Sequence, residues 1–306
     1  MSKSNNWLPG PWAYVLNHSG IRLIPYRLAM SLVSPFVPLF YRLWASKRRK
    51  AKQNFALITG LKRDDPEVDR LARASFDHFG RYIMEMMHVQ AWSNDTVLDR
   101  MEIEGEQHFA TAESHGRGII FVSAHMGSAE VGAAIVVMRG YKVTAVTEQI
   151  KPRFLMDWAV ACRAALGVTL VPVSKAGVKL IRTLRRKEMV AMIVDAGVDR
   201  GGGVPVTFLG RETVFPVGPA RLARLSGAPI VFALAVRLPG GRFRVSVSSP
   251  IVPDRDASAD DDIRRMTQAI AANFEPFIRQ YPEQWYVFRD IWPEETKSEC
   301  RSRPQP

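Results

Sequence analysis

The rhythm of apolar and polar positions changes along the chain, and each change predicts a different element. Residues 28–41 form a run of fourteen without a charge, with Pro35 and Pro38 inside it and Arg22, Arg27 and Arg42 around it. That is shorter than the roughly 20 residues a membrane-spanning helix needs. From Asp65 the spacing turns helical. Val68, Leu71, Phe76, Phe79, Ile83, Met86 and Met87 recur at near-helical intervals as far as about Trp92. Asp65 is the expected N-cap, Pro66 fits the first helical position, and Glu67 suits the positive end of the helix.

Between 101 and 250 short apolar runs alternate with helical stretches. Strands are predicted at 101–104, 119–124, 142–146, 168–173, 189–194, 229–236 and 243–249. Helices are predicted at 106–114, 128–139, 152–166, 175–186 and 219–226. Such alternation predicts an α/β fold with a mainly parallel central sheet flanked by helices. An amphipathic helix follows at 258–281, and an aromatic stretch at 283–292 closes the ordered part. The polar tail, 294–306, is expected to be loose. The expected organisation is an N-terminal segment at 1–52, an α/β domain at 53–293 and that tail.

Composition changes this picture in one respect. An apolar content of 47% and a charged content of 24% are ordinary for a globular chain, but the net charge of +12 is not. It favours an anionic partner, either nucleic acid or an anionic membrane surface. Five basic residues in six, at Lys47-Arg48-Arg49-Lys50-Ala51-Lys52, directly follow the apolar run. Together these suit an N-terminal anchor on anionic lipid, monotopic or single. The alternative is a buried helix followed by a solvated charge run. The absence of a small-residue cleavage site argues against a removable signal peptide. Two cysteines, Cys162 and Cys300, make no disulfide framework and point to a reducing compartment. All six histidines fall at or before His125 without the His-Glu-x-x-His spacing, so no metal site is expected.

The chemistry gathers at 118–130. The apolar run 119–124 reads as a strand buried on both faces. It stops at His125, then Gly127, and Ser128 is the expected N-cap of a helix with Glu130 in its first turn. Open α/β sheets place their chemistry at the carboxyl ends of strands. A loop histidine and a first-turn carboxylate five residues on can converge. The expectation is therefore that Glu130 holds one imidazole nitrogen while the other serves as general base for a substrate hydroxyl. The alternative is a loop histidine in an ordinary structural hydrogen bond. Asp195 ends the predicted strand at 189–194 as His125 follows an earlier one. A glycine-rich loop with Asp199 and Arg200 comes next. Gly218 and Pro219 open a helix where backbone could approach a ligand.

These motifs, in this order, resemble the membrane-lipid acyltransferases that carry a His-(any four)-Glu/Asp motif. The resemblance is to the late acyltransferases of lipid A biosynthesis and their relatives that acylate phosphatidylinositol mannosides. It spans roughly 25 to 292. It rests on His125 to Glu130, the Phe208-Leu209-Gly210 turn, Gly218-Pro219-Ala220 and Tyr281-Pro282-Glu283-Gln284-Trp285. The chain departs from it at Gly127-Ser128-Ala129, where the branch usually has Gly-Asn-Trp.

The resemblance implies an O-acyltransferase acting on a membrane lipid or glycolipid. The donor would be a thioester of acyl carrier protein or coenzyme A, with no cofactor. It implies His125 and Glu130 as the catalytic pair. Arg163, Asp195, Gly127, Ser128, Arg200 and Gly218 would be the substrate-binding positions. It places the enzyme on the cytoplasmic face of the bacterial inner membrane, with no nucleic acid as partner. The competing expectation is a non-enzymatic basic protein for lipid head groups or nucleic acid. A serine hydrolase is not supported, because no Gly-x-Ser-x-Gly elbow occurs.

Overall fold

A computed structural model of the chain describes residues 24–195 and 202–292. The apolar runs become strands β1 (Met101–Glu104), β2 (Ile120–Ser123), β3 (Val143–Thr147), β4 (Val168–Pro172) and β5 (Met189–Ile193). A hairpin of β6 (Gly203–Phe208) and β7 (Arg211–Pro216) follows, then β8 (Ile230–Leu238) and β9 (Arg242–Val247). Seven strands pair in the order β1-β9-β8-β2-β5-β3-β4, and β6 and β7 pair apart from them. Every pairing in the large sheet is parallel except β8 with β9, which is antiparallel. The reason is the short connection: only the single turn Pro239–Gly241 separates these strands, too little chain for a crossover. The fold is α/β with a mostly parallel seven-stranded sheet, as the alternation predicts. Neither strand of this hairpin is among those the apolar pattern predicts; the resemblance marks only its turn, at Phe208-Leu209-Gly210.

Apolar helices cover both faces of the sheet. Ile120, Val122, Val190, Ile230 and Phe232 point into the main core cluster, while Ile119, Phe121, Met189 and Val231 belong to a second cluster on the opposite side. Helices α5 (Asn94–Arg100), α6 (Glu106–Ser114), α7 (Ala129–Met138) and α8 (Arg153–Ala165) accompany β1 to β4. Helices α9 (Gly177–Arg185), α10 (Gly218–Ser226) and α11 (Ala259–Gln280) complete the domain. α11 starts where expected, with the Ser258 hydroxyl accepting from the Asp261 amide at 3.2 Å.

The N-terminal part is helical and kinked. Short helices α1 (Tyr26–Ser31) and α2 (Val37–Leu43) lead to α3 (Ala45–Thr59), with a 97° bend before it. Next comes α4 (Pro66–His88), whose expected cap is present: the Asp65 carboxylate accepts from the Glu67 amide at 2.8 Å. No single described helix is long and apolar enough to cross a membrane. α1, α2 and the turn between them nevertheless expose Leu28, Leu32, Phe36, Leu39, Phe40 and Leu43. The basic cluster is partly drawn into the fold. Lys50 pairs with Asp290 at 2.8 Å, Lys52 with Asp69 at 3.0 Å, and Arg48 donates to the Tyr41 carbonyl at 3.1 Å. The expected boundary at 52 falls inside α3, whose Ala51 and Phe55 are core residues. The expected tail at 294–306 lies outside the described residues.

Candidate active site

β2 and β5 are neighbours, in register from Ile120 with Val190 to Ser123 with Ile193. Two residues beyond each strand end stand His125 and Asp195. Register carried on past the pairing therefore brings them side by side. The His125 Nδ1 donates to Asp195 Oδ1 at 2.7 Å, and the His125 amide donates to Asp195 Oδ2 at 2.8 Å. The indole Nε1–H of Trp285 donates to the same Oδ2 at 2.8 Å. The carboxylate is fully buried, whereas the imidazole is 39% exposed. With Nδ1 committed as a donor, the neutral ring carries its free lone pair on Nε2. The loop is held from behind as well. The Tyr286 amide donates to the His125 carbonyl at 2.9 Å, and Met126 bridges to Trp285.

The expected contact of Glu130 with the imidazole is not the one observed. Glu130 lies in the first turn of α7 as predicted, but its Oε1 accepts from Arg163 Nε at 2.9 Å and from the Tyr82 hydroxyl at 3.2 Å. Arg163 also donates to the Tyr82 oxygen at 2.8 Å. The carboxylate follows the helix face toward α8 and α4 rather than the loop, because a guanidinium waits there. This is a closed, buried cluster. Burial opposes the Arg163 charge, but Tyr82 and Glu130 outweigh it and hold the guanidinium above its ordinary pKa. Burial, aided by Glu130, pushes the Tyr82 phenol up.

Ser128 occupies the N-cap position of α7 without capping it. Its hydroxyl and Glu130 Oε2 are buried with no hydrogen-bond partner among the described residues. Three of the loop amides are engaged. His125 donates to Asp195, Gly127 to the Gln284 carbonyl at 3.2 Å, and Ser128 to the Ala235 carbonyl at 2.9 Å. Gly127 is needed for space rather than for a ligand. At its φ of +60° a Cβ would lie 1.9 Å from the Ala235 oxygen.

His125, Ser128, Glu130 and Arg163 line one cavity of about 830 Å3, toward the upper end of ordinary ligand pockets. Its walls are apolar. Small residues at Gly132, Ala133, Ala145, Ala191, Ala233 and Ala235 leave the space between the sheet and α7 and α8. At the strand ends it continues past Gly218, Arg221 and Leu225. Gly218 is the first residue of α10 and lines the cavity. Arg200 lies outside the described residues. Sequence reasoning missed Tyr82 and the pair of Glu148 and Arg289, which also line the cavity. The salt link to Arg289 holds the Glu148 carboxyl below its usual pKa, against its partial burial. No local spacing marks these residues, since each partner comes from a distant segment. Among the described residues no cluster of His, Cys, Asp or Glu could hold a metal ion.

The arrangement is a carboxylate-supported imidazole at the mouth of a deep apolar cavity, beside an unpartnered hydroxyl. It can take a proton from a hydroxyl while an apolar chain lies alongside. Comparison with known proteins agrees in kind. The pattern of the family described as bacterial lipid A biosynthesis acyltransferase matches residues 2–293. The phosphatidylinositol mannoside acyltransferase of Mycolicibacterium smegmatis is 27% identical over 257 residues, covering 82% of each chain. That of Mycobacterium tuberculosis H37Rv is 27% identical over an alignment of 307 positions, covering 95% of this chain and 92% of the relative.

Proposed function

The chain belongs to the bacterial lipid A biosynthesis acyltransferase family and is an acyltransferase; from that premise we propose its reaction and the residues that carry it. A fatty acyl chain moves from the thioester of acyl carrier protein or coenzyme A to a hydroxyl of a membrane glycolipid. The acceptor is a phosphatidylinositol mannoside or a lipid A-type molecule, as the relatives' names and the family suggest. The observation that carries this reading is the His125–Asp195 pair opening onto the apolar cavity.

His125 Nε2 takes the proton of the acceptor hydroxyl as its oxygen adds to the thioester carbonyl. Asp195, bonded to Nδ1, fixes the ring and stabilises the imidazolium that forms. Collapse of the tetrahedral intermediate breaks the carbon–sulfur bond, and the departing thiolate recovers the proton from the imidazolium. The Ser128 hydroxyl donates to the developing oxyanion. The acyl chain lies in the cavity between the sheet and α7 and α8. The exposed apolar face of α1 and α2 seats the enzyme on the lipid surface, and the surplus positive charge favours anionic lipid.

The test is acyl transfer by the purified full-length protein and by His125→Ala. Labelled acyl carrier protein and coenzyme A thioesters are offered with phosphatidylinositol mannosides and lipid A precursors, and products are read by mass spectrometry. The expected result is one acylated glycolipid from the parent and none from the folded variant. No product from any pairing overturns the reaction, and product from His125→Ala overturns the base.

A further inference from the structure

Behind the His125 loop lies a second buried charge cluster that the proposed chemistry does not use. Arg237 on β8 and Glu85 on α4 are 152 residues apart in sequence and meet in a fork: Nε to Oε1 and Nη2 to Oε2, each at 2.6 Å. Glu85 is fully buried, and the Arg237 side chain is 9% exposed. The same Nη2 donates to the Gly127 carbonyl at 2.7 Å, and Nη1 contacts His78 Nδ1 at 3.2 Å. The Tyr26 hydroxyl donates to Glu85 Oε1 at 3.2 Å. The Gln284 side chain locks the Arg237 backbone, accepting from its amide at 2.8 Å and donating to its carbonyl at 2.9 Å. The Tyr286 hydroxyl gives the Gly127 carbonyl a second donor at 3.1 Å.

We propose that Arg237, oriented by Glu85, is a positioning residue that clamps the Gly127 carbonyl and so fixes His125 and Ser128 against the cavity. This rests on the reaction argued above. Two arguments favour it over a purely structural pair. A buried ion pair seldom improves on well-packed apolar side chains, so its stabilising value alone does not account for it. The geometry also spends the guanidinium on a carbonyl of the loop between His125 and Ser128, and a point-charge lysine could not make the fork and reach that carbonyl together. Gly127 sits at a φ of +60°, one of several conformations glycine adopts freely, so its peptide has little steric preference of its own to fix it. A small turn of this peptide would carry the imidazole and the Ser128 hydroxyl out of line together.

The experiment uses full-length protein in detergent, with Glu85→Leu, Arg237→Met, the two combined, and Arg237→Lys. Each single removal strands a buried charge and is expected to lower Tm, while the double variant regains most of the loss. In the double variant kcat is expected to fall about a hundredfold with both KM values within about twofold, the mark of a misplaced group rather than lost binding. Arg237→Lys, which keeps the charge, is expected to fall between the two and decides the matter if the double variant does not fold. Amide hydrogen exchange at Gly127 and Ser128 is expected to quicken in the double variant while the β2 and β5 amides stay protected. Parental kcat together with parental exchange in the folded double variant would overturn the proposal. If the parent transfers no acyl group, the reaction falls, and the exchange result alone still decides the clamp.

Discussion

Two buried carboxylates lie close to the catalytic histidine proposed here, and they differ in what already neutralises them. Glu130 has its cation in place, the Arg163 guanidinium at 2.9 Å, and the pair is sealed by Tyr82. Asp195 accepts from two N–H groups that carry no charge, and among the described residues its one ionisable partner is the His125 ring itself. A carboxylate that already faces a guanidinium adds little net field at a nearby imidazole. One without a cation gains its counter-charge only when that imidazole takes a proton. In the reaction proposed above Asp195 would therefore stabilise the imidazolium as it forms, whereas Glu130 holds α7, α8 and α4 together. The difference teaches that proximity in sequence does not identify the partner of a base; its remaining charge does.

The largest effect expected on this account is that of His125→Ala. Acyl transfer should fall about 10^3- to 10^4-fold with only a modest fall in Tm, because the buried Asp195 carboxylate loses the ring as a donor but keeps the His125 amide and the Trp285 indole. A variant that loses activity only in proportion to unfolded protein would remove His125 from the chemistry. On the other carboxylate, Arg163→Met leaves Glu130 buried and unpaired. It should cost about 3–5 kcal/mol in denaturant unfolding, and adding Glu130→Leu should restore most of it. Equal stability of parent and Arg163→Met would show that the cluster is not the structural half of the comparison.

The cavity that His125 and Glu130 line can be probed by filling it. Ala191→Phe should displace about three methylenes of a long acyl chain, roughly 2.4 kcal/mol of burial. kcat/KM for the longest donors should drop some tens of times while short donors are spared, as read by competition among chain lengths. A uniform loss across all lengths would separate that wall from the acyl chain.

The smallest effect concerns the shell behind the loop. Burial and then Arg237 depress His78 from 6.5 to about 3. The folded protein thus binds fewer protons than the unfolded chain between these values. The stabilisation is full above pH 6.5 and is lost as pH falls toward 3. Denaturant unfolding at pH 7 and pH 4 should show His78→Asn losing about 1–2 kcal/mol less than the parent on acidification. Parallel pH slopes would contradict the burial of a neutral His78.

Much of the scaffold was readable from residue pattern alone. The strand Met101–Glu104 and the helix Glu106–Ser114 lie where the alternation predicts them, because apolar period and capping are local signals. The place of His125 and of Asp195, each just past a strand end, was equally visible. That the two meet was not, since nothing local tells that β5 pairs with β2 rather than with β4, its predecessor in the chain. Glu130 shows the converse. Its position in the first turn was read correctly, but the direction of its side chain depends on Arg163 and Tyr82, which the fold brings from 33 and 48 residues away. The antiparallel return of β9 and the fork from Arg237 to Glu85 are long-range in the same sense.

The central claim, that Asp195 rather than Glu130 serves the histidine, is tested most directly by comparing Asp195→Asn with Glu130→Gln in single-turnover acyl transfer, normalised to folded protein. The account predicts a fall in rate of about 10^3-fold or more for Asp195→Asn, and less than about tenfold for Glu130→Gln. The reverse order, or equal losses, would contradict it.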